Sequence, residues 1–168
     1  NLGFICDASC RTEIKKAVQD EISKSTPKST VATTTIPKPT VAPIVSKQTS
    51  YIPFAGPITS TSTDWVDATG TDITIDVVND YGKNAAVSWQ TSLKVADGNG
   101  QAYARLFDVT HGIAVSGSEI STTNNSDYQT VSSGNFTLWS GRNTYRVQIK
   151  SLNSFVVTFG SGRMKIVY

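Results

Sequence analysis

A sharp change in composition near residue 50 constrains this chain more than any other feature. Residues 23–50 are rich in Ser and Thr and carry four prolines, Pro27, Pro37, Pro39 and Pro43. Such a segment has too little apolar area to offset the entropy lost on ordering, so alone it is expected to be extended or polyproline-like. The sequence therefore predicts a helical head at 1–24, an extended Ser/Thr/Pro arm at 25–50 and a β-sandwich domain at 51–168.

From residue 51 onward apolar and polar residues alternate with a period of two, the pattern of half-buried β-strands. In the clearest strand, 85–96, Val87, Trp89 and Leu93 alternate with polar residues. About eight to ten strands without a helical pattern predict two packed antiparallel sheets, an all-β sandwich of jelly-roll type. Further strands are predicted at 72–78, 102–110, 113–115, 118–122, 128–131, 135–139, 144–152, 155–158 and 164–168.

The head has the pattern of an amphipathic helix over residues 9–23. Apolar residues recur there at intervals of three and four positions. A helix of about four turns is marginal alone, so its apolar face needs a partner surface. The pattern leaves open whether that surface is the chain's own sheet or another copy. The predicted docking face consists of Ile14, Ala17, Val18 and Ile22.

Two cysteines, Cys6 and Cys10, lie four positions apart in the head. Their spacing allows a local disulfide across one helical turn. A pair of buried thiols and disulfides to other chains remain alternatives. Two thiols without a nearby histidine leave the coordination shell of a metal unfilled, so no metal is predicted there.

The arm contains two mildly apolar clusters separated by prolines. Proline lacks a ladder donor, which restricts these pieces to polyproline or edge-strand conformations. Such a segment can be laid into the open sheet edge of a neighbouring copy, as in strand donation. The alternative is a surface linker. The predicted assembly residues are Val31, Ile36, Val41, Ile44 and Val45.

Charge argues against a nucleic-acid binder. The net charge is +2, with seven Lys and Arg against four Asp and Glu before residue 51 and eight against nine from there on. A nucleic-acid partner would call for a dense basic stripe interleaved with aromatic residues, which the chain does not show. No segment is long and apolar enough to predict a membrane span.

The sequence predicts no enzyme and no cofactor. The single histidine, His111, precedes Gly112 in what reads as a turn, and no Gly-x-Ser-x-Gly motif appears. Strand alternation places Asp72 and Asp76 on a hydrated outer face, whereas a glycosidase needs two carboxyl groups facing across a cleft.

Two binding features are weaker candidates. Asp97 and Asn99 have the alternate spacing of oxygen ligands for calcium, although Asp-Gly-Asn-Gly between strands is first of all a hairpin turn. Trp89 is in phase with the core, whereas Trp139 is out of phase and predicted to be exposed. Trp139 with Tyr128 is therefore the predicted glycan contact, the alternative being a tryptophan that caps the end of the sandwich.

Several short motifs resemble jelly-roll modules of secreted bacterial surface and fibre proteins. The resemblance covers residues 51–168, includes no catalytic signature and implies an extracellular or cell-surface structural or binding role. The motifs are Trp65-Val66-Asp67 followed by the strand at 72–78, Ala102-Tyr103-Ala104-Arg105-Leu106, Asp108-Val109-Thr110 and Tyr145-Arg146-Val147-Gln148.

Two functional hypotheses follow. The first is a secreted structural subunit of a filament, pilus-like or surface fibre, in which the head and arm dock on other copies of the chain to form a homopolymer. The second is a carbohydrate- or surface-binding adhesion module, in which the arm is a flexible spacer and the partners are surface glycans.

Overall fold

The computed structural model describes residues 12–13, 15–16, 19 and 46–168. The chain divides into two compact units, Asn1–Pro43 and Ile44–Tyr168. The five described residues of the first unit are helical and exposed, within the helix predicted for residues 9–23. The predicted docking face, both cysteines and the five assembly residues of the arm lie outside the described residues.

The described part of the second unit consists of eleven β-strands and one short helix, Val77–Tyr81, between β4 and β5. No helix in the described ranges is long and apolar enough to cross a membrane. The strands are β1 (Thr49–Phe54), β2 (Ile58–Ser60), β3 (Val66–Asp67), β4 (Ile73–Ile75), β5 (Ala86–Val95), β6 (Ala102–Asp108), β7 (Ile113–Ala114), β8 (Ile120–Thr122), β9 (Gln129–Ser132), β10 (Asn143–Ser151) and β11 (Val157–Val167).

The strands form two antiparallel sheets. Sheet A has the order β1-β11-β5-β9, with β2 also paired to β11. Sheet B has the order β3-β10-β6-β7, with β4 also on β10 and β8 also on β6. β1 pairs with β11, β3 with β10 and β5 with β9, and the innermost pair is formed by the adjacent strands β6 and β7. This nested pairing is the strand order of a jelly roll. The predicted all-β antiparallel sandwich is confirmed.

The core lies between the inward faces of the two sheets. Trp89 of β5 is 1% exposed, and its ring meets Phe54 edge-on with the centroids 6.1 Å apart. The indole Nε1 donates to the carbonyl oxygen of Ser118 at 2.6 Å, so the polar atom of this large side chain is satisfied. The core also contains Leu93, Leu106, Tyr145, Val147, Ile149, Phe159, Met164 and Ile166.

The prediction of a strand over residues 72–78 is wrong in its second half. Ile73–Ile75 is a strand, but Asp76 then caps the helix Val77–Tyr81. The Asp76 carboxylate accepts the backbone N–H of Asn79 at 3.1 Å and its side-chain amide at 2.7 Å. Asp76 is consequently buried and does not lie on a hydrated outer face, because a helix N-cap turns its side chain back toward the first turn.

Other predicted strands also differ from the observed ones. The strands predicted at 155–158 and 164–168 are one strand, β11, which continues through a β-bulge between Phe159 and Ser161. The segment predicted as a strand at 135–139 makes a single bridge, from Phe136 to Val87. Strands β1, β2 and β3 have no counterpart among the predicted strands, and β1 begins at Thr49, within the segment predicted as the arm. β2 and β3 are too short to show a period.

We predict that Trp89→Ala lowers the free energy of unfolding by about 3–5 kcal/mol, because it leaves a cavity and an unpaired carbonyl in the core. Trp139→Ala, the control at an exposed position, changes it by about 1 kcal/mol or less. Urea unfolding followed by far-ultraviolet circular dichroism measures both. Equal losses in the two variants would contradict this account of the core.

Candidate functional site

The outer face of sheet A contains a shallow polar groove of about 240 Å³. The sequence places it there because Trp89, Leu93 and Val95 are buried, so the alternate residues of β5 point outward. We call this feature the polar groove. It is lined by Gln90, Thr91, Ser92, Thr130, Ser161, Gly162 and Arg163.

Arg163 is held at one end of the polar groove between Gln90 and Tyr51. It pairs with Gln90 of β5 and with Pro53 of β1, which makes Tyr51 its diagonal neighbour. With its amide oxygen turned toward Arg163, Gln90 accepts hydrogen bonds from Nε at 3.1 Å and from Nη2 at 2.9 Å. The guanidinium carbon lies 4.4 Å from the centroid of the Tyr51 ring. The guanidinium is therefore fixed by an amide and a ring.

Tyr128 lies at the other end of the polar groove. Leu93 pairs with Gln129, so Tyr128 comes opposite Lys94, whose Nζ is 4.8 Å from the ring centroid. The ring passes over the backbone of Gly160, where an added Cβ would lie only 2.7 Å from its Cε1 atom. Glycine is required at this position because any side chain would displace the tyrosine.

The β-bulge at Gly160 shapes the floor of the polar groove, which includes Ser161 and Gly162 directly after the bulge. A bulge removes backbone groups from the ladder, and here two hydroxyls take their place. Thr91 Oγ1 donates to the carbonyl oxygen of Ser161 at 2.6 Å, and Ser92 Oγ accepts the backbone N–H of Ser161 at 3.1 Å. The bulge therefore leaves a floor of satisfied polar groups.

The charge of sheet A has one sign. Its five strands contain Lys94, Arg163 and Lys165 and no Asp or Glu. Two carboxylates lie next to these strands along the chain, Asp97 two residues after β5 and the exposed Asp127 two residues before β9. None of the ion pairs of the described residues involves Lys94, Arg163 or Lys165. The polar groove is cationic although the domain as a whole is close to neutral.

The outer face of sheet B is also charged, and there one arginine is paired with two carboxylates. Arg146 donates to Asp72 at 2.7 and 3.0 Å and also bonds to Asp67. Gln148 donates to the same Asp67 carboxylate at 2.9 Å. The Gln148 bond, together with Arg146, holds the pKa of Asp67 below its usual range, and the two carboxylates raise the pKa of Arg146. The charge of Arg146 is therefore balanced by Asp67 and Asp72 within the protein.

Trp65, on this same face, is covered by cations. The Arg105 guanidinium carbon lies 4.1 Å from its ring centroid and Lys150 Nζ lies 4.8 Å from it. With two cations against it and a side chain that is only partly exposed, this ring offers less free surface than Tyr51 or Tyr128, each of which has one cation against it and is nearly half exposed.

Trp139 is 55% exposed, as its phase predicts, but it lies outside the lining of the polar groove. Its ring stacks on His111, with the centroids 4.7 Å apart and the planes at 22°. His111 Nδ1 is 2.8 Å from the buried carboxylate of Asp108, which also accepts the His111 backbone N–H. These two bonds to Asp108 fix the orientation of the imidazole against Trp139.

The loop holding Asp97 and Asn99 is a tight turn, but the prediction of a hairpin is wrong, because the loop joins β5 of sheet A to β6 of sheet B and these strands do not pair. The Asp97 carboxylate accepts the N–H of Asn99 at 2.9 Å, and the Asp97 carbonyl accepts the N–H of Gly100 at 3.0 Å. Within the described ranges there is no group of three or more His, Cys, Asp or Glu side chains suited to a metal ion.

The sequence singles out one residue at this site, Tyr128, whose ring lies beside the lining residue Ser92. It gives no such prediction for Tyr51, Gln90 or Arg163. The available signal was alternation, which assigns each to an outward face. It does not say which strands are neighbours.

No protein-family model matches the sequence, and no curated protein matches it. Among solved structures the chain is similar to a family two carbohydrate esterase from Cellvibrio japonicus, with 12% identity, a TM-score of 0.31 and coverage of 73% of this chain. The match covers 34% of the esterase chain, so this chain spans about a third of that protein's length. A likeness of this degree carries no argument, and the site is interpreted from its own geometry.

Tyr145 makes the stability of the domain depend on pH, because its buried hydroxyl lies near Asp108. Its hydroxyl is buried and makes no hydrogen bond of normal geometry with a described residue, although the Asn143 side chain and the Trp139 backbone are close enough to lower its pKa in part. Burial, together with the charge of Asp108, raises the pKa of Tyr145 to about 12. In the unfolded chain Tyr145 loses its hydroxyl proton at about pH 10, whereas in the folded domain it keeps that proton to about pH 12. The free energy of unfolding therefore falls between about pH 10 and 12.

We predict that Tyr145→Phe flattens this decline and leaves the stability at pH 7 unchanged or higher, because no hydrogen bond is lost. Urea titrations of both proteins at about pH 7, 10 and 11.5 measure the difference. A loss of more than about 1 kcal/mol at pH 7 would contradict the unpaired hydroxyl.

Proposed function

We propose that the chain is an extracellular glycan-binding module that holds an extended sugar chain in the polar groove of sheet A. The observation that carries this proposal is the pair of tyrosine rings at the two ends of the groove. Tyr51 is 47% exposed and Tyr128 is 46% exposed, so both present accessible ring surface beside polar groups. An apolar ring combined with nearby donors and acceptors matches a sugar, which has both apolar faces and hydroxyls.

The dimensions support a chain rather than a single ring. β1 and β9, near which the two tyrosines lie, are three strand spacings apart, roughly 14 Å. Between them lie the amide of Gln90 and the hydroxyls of Ser92, Thr130 and Ser161, each able to donate and to accept.

The groove is built on strands, so its side chains are already ordered before a ligand arrives. Binding therefore loses little conformational entropy within the protein. These features support the binding-module hypothesis over the structural-subunit hypothesis, and a role at or outside the cell surface belongs to this proposal.

We predict that Tyr51→Ala and Tyr128→Ala each weaken glycan binding by about tenfold, which corresponds to about 1.4 kcal/mol of lost contact. Trp139→Ala, an exposed aromatic outside the polar groove, is the matched control and leaves affinity unchanged. A glycan array followed by calorimetry on the bound sugar measures the series. Loss of binding in Trp139→Ala alone would place the site at the stacked rings of Trp139 and His111 and overturn the proposal.

The structural-subunit hypothesis has one feature in its favour. Strand β1 is at the edge of sheet A, and the residues just before it continue the ladder, since Gln48 and Tyr168 exchange backbone hydrogen bonds of 2.7 and 2.9 Å. An edge strand offers unpaired backbone groups to which a segment of another copy can add.

Deletion of residues 1–45 tests this second candidate without removing any of β1. Self-assembly through the head and arm predicts that the full chain forms polymers by electron microscopy and that the truncated chain is a monomer by size exclusion. A monomeric full chain, or polymers that persist after truncation, would exclude assembly through the arm.

A further inference from the structure

We infer that the ligand of the polar groove is an acidic polysaccharide, a sugar chain that carries carboxylate or sulfate groups. This inference rests on the proposed function and adds the chemical class of the sugar. It follows from the two cations that flank the groove and from the absence of carboxylates in the strands that form it.

Arg163 is prepared to bind an anion. Gln90 takes its Nε–H and one Nη2–H, which leaves three of the five guanidinium N–H groups without a partner among the described residues. Gln90 is neutral, so it fixes the orientation of the guanidinium and leaves its charge uncompensated. A fixed guanidinium with free N–H groups is suited to two parallel hydrogen bonds to a carboxylate or sulfate.

Lys94 repeats this arrangement at the other end. Its ammonium lies over the Tyr128 ring, as the Arg163 guanidinium lies over Tyr51. Each end of the groove therefore combines one cation with one aromatic ring. A sugar ring bearing an acidic substituent has the complementary pair, an apolar face and a negative charge.

Cations also lie on an aromatic ring on sheet B, where Arg105 and Lys150 contact Trp65, but that sheet contains carboxylates as well. There Arg146 is paired with two carboxylates, and its charge is used within the protein. On sheet A no described carboxylate compensates Arg163 or Lys94, so an anionic ligand gains their charge without first breaking an ion pair.

A nucleic acid is also a polyanion, but the groove is a poor match for one. Sheet A carries three cations, and the domain has one more acidic than basic residue, so the long-range field does not favour a densely charged phosphate chain. We therefore assign the groove to a sugar chain and include single-stranded DNA in the test.

The test compares two pairs of polymers that share a backbone and differ in charge. Polygalacturonate and its methyl ester differ in the free carboxylate, whereas dextran sulfate and dextran differ in the sulfate. Calorimetry with the full chain is expected to show binding at least about tenfold tighter for the charged member of one pair at low salt. The preference should shrink at about 0.5 M salt, where charges are strongly screened.

Three variants locate the effect. Arg163→Gln and Lys94→Gln each remove one cation and are expected to abolish most of the preference for the charged member. Gln90→Glu places a carboxylate against Arg163, which keeps the guanidinium in position and neutralises it. This variant is expected to fold with unchanged thermal stability or better and to lose the preference. Lys150→Gln, which removes a cation stacked on aromatic rings on the opposite face, is the matched control.

The outcomes separate the inference from the proposed function. Equal affinity for charged and neutral members, lost in Tyr51→Ala, overturns the inference and keeps the glycan site. Binding of neither member of either pair overturns both. Equal binding of single-stranded DNA that survives Tyr51→Ala and Tyr128→Ala also overturns the inference, because it indicates general attraction of polyanions.

Discussion

The antiparallel ladder between β5 and β11 determines both the core and the groove of this domain. On its inner side Trp89 pairs with Met164 and Leu93 with Phe159, all fully or almost fully buried. On its outer side Gln90 pairs with Arg163. A slip of one residue would exchange the two faces, exposing the tryptophan and burying the guanidinium. The packing energy of the core therefore also holds the polar groove in register.

The fold class was predictable because alternation is a local property. β5 reads in the sequence almost as it appears in the structure, since each of its inward positions is apolar or a threonine. The same rule failed at residues 72–78, where alternation of Ile73, Ile75 and Val77 continues across a change of structure. There the deciding interaction is the bond from Asp76 to Asn79, a capping contact that outweighs the period.

The site was harder to predict because it depends on register between distant strands. Tyr51 and Arg163 are far apart in sequence and meet only because β1 and β11 pair. The phase argument for Trp139 was right about exposure, but an exposed ring is not by itself a site. The distribution of charge was hard to predict for the same reason. The domain is nearly neutral overall, and a face with cations and no carboxylates forms only once the strands are arranged.

The bulge at Gly160 divides the positions around the groove into two kinds. The glycine is under a tyrosine ring and inside the ladder, so substitution there disturbs ligand surface and backbone together. The outward hydroxyl and amide positions of β5, β9 and β11 contribute little to packing, and exchanges at such surface positions usually alter stability by only about 0.5 kcal/mol. The domain is consequently well suited to diversification, because the outward residues can change while the sandwich beneath them persists.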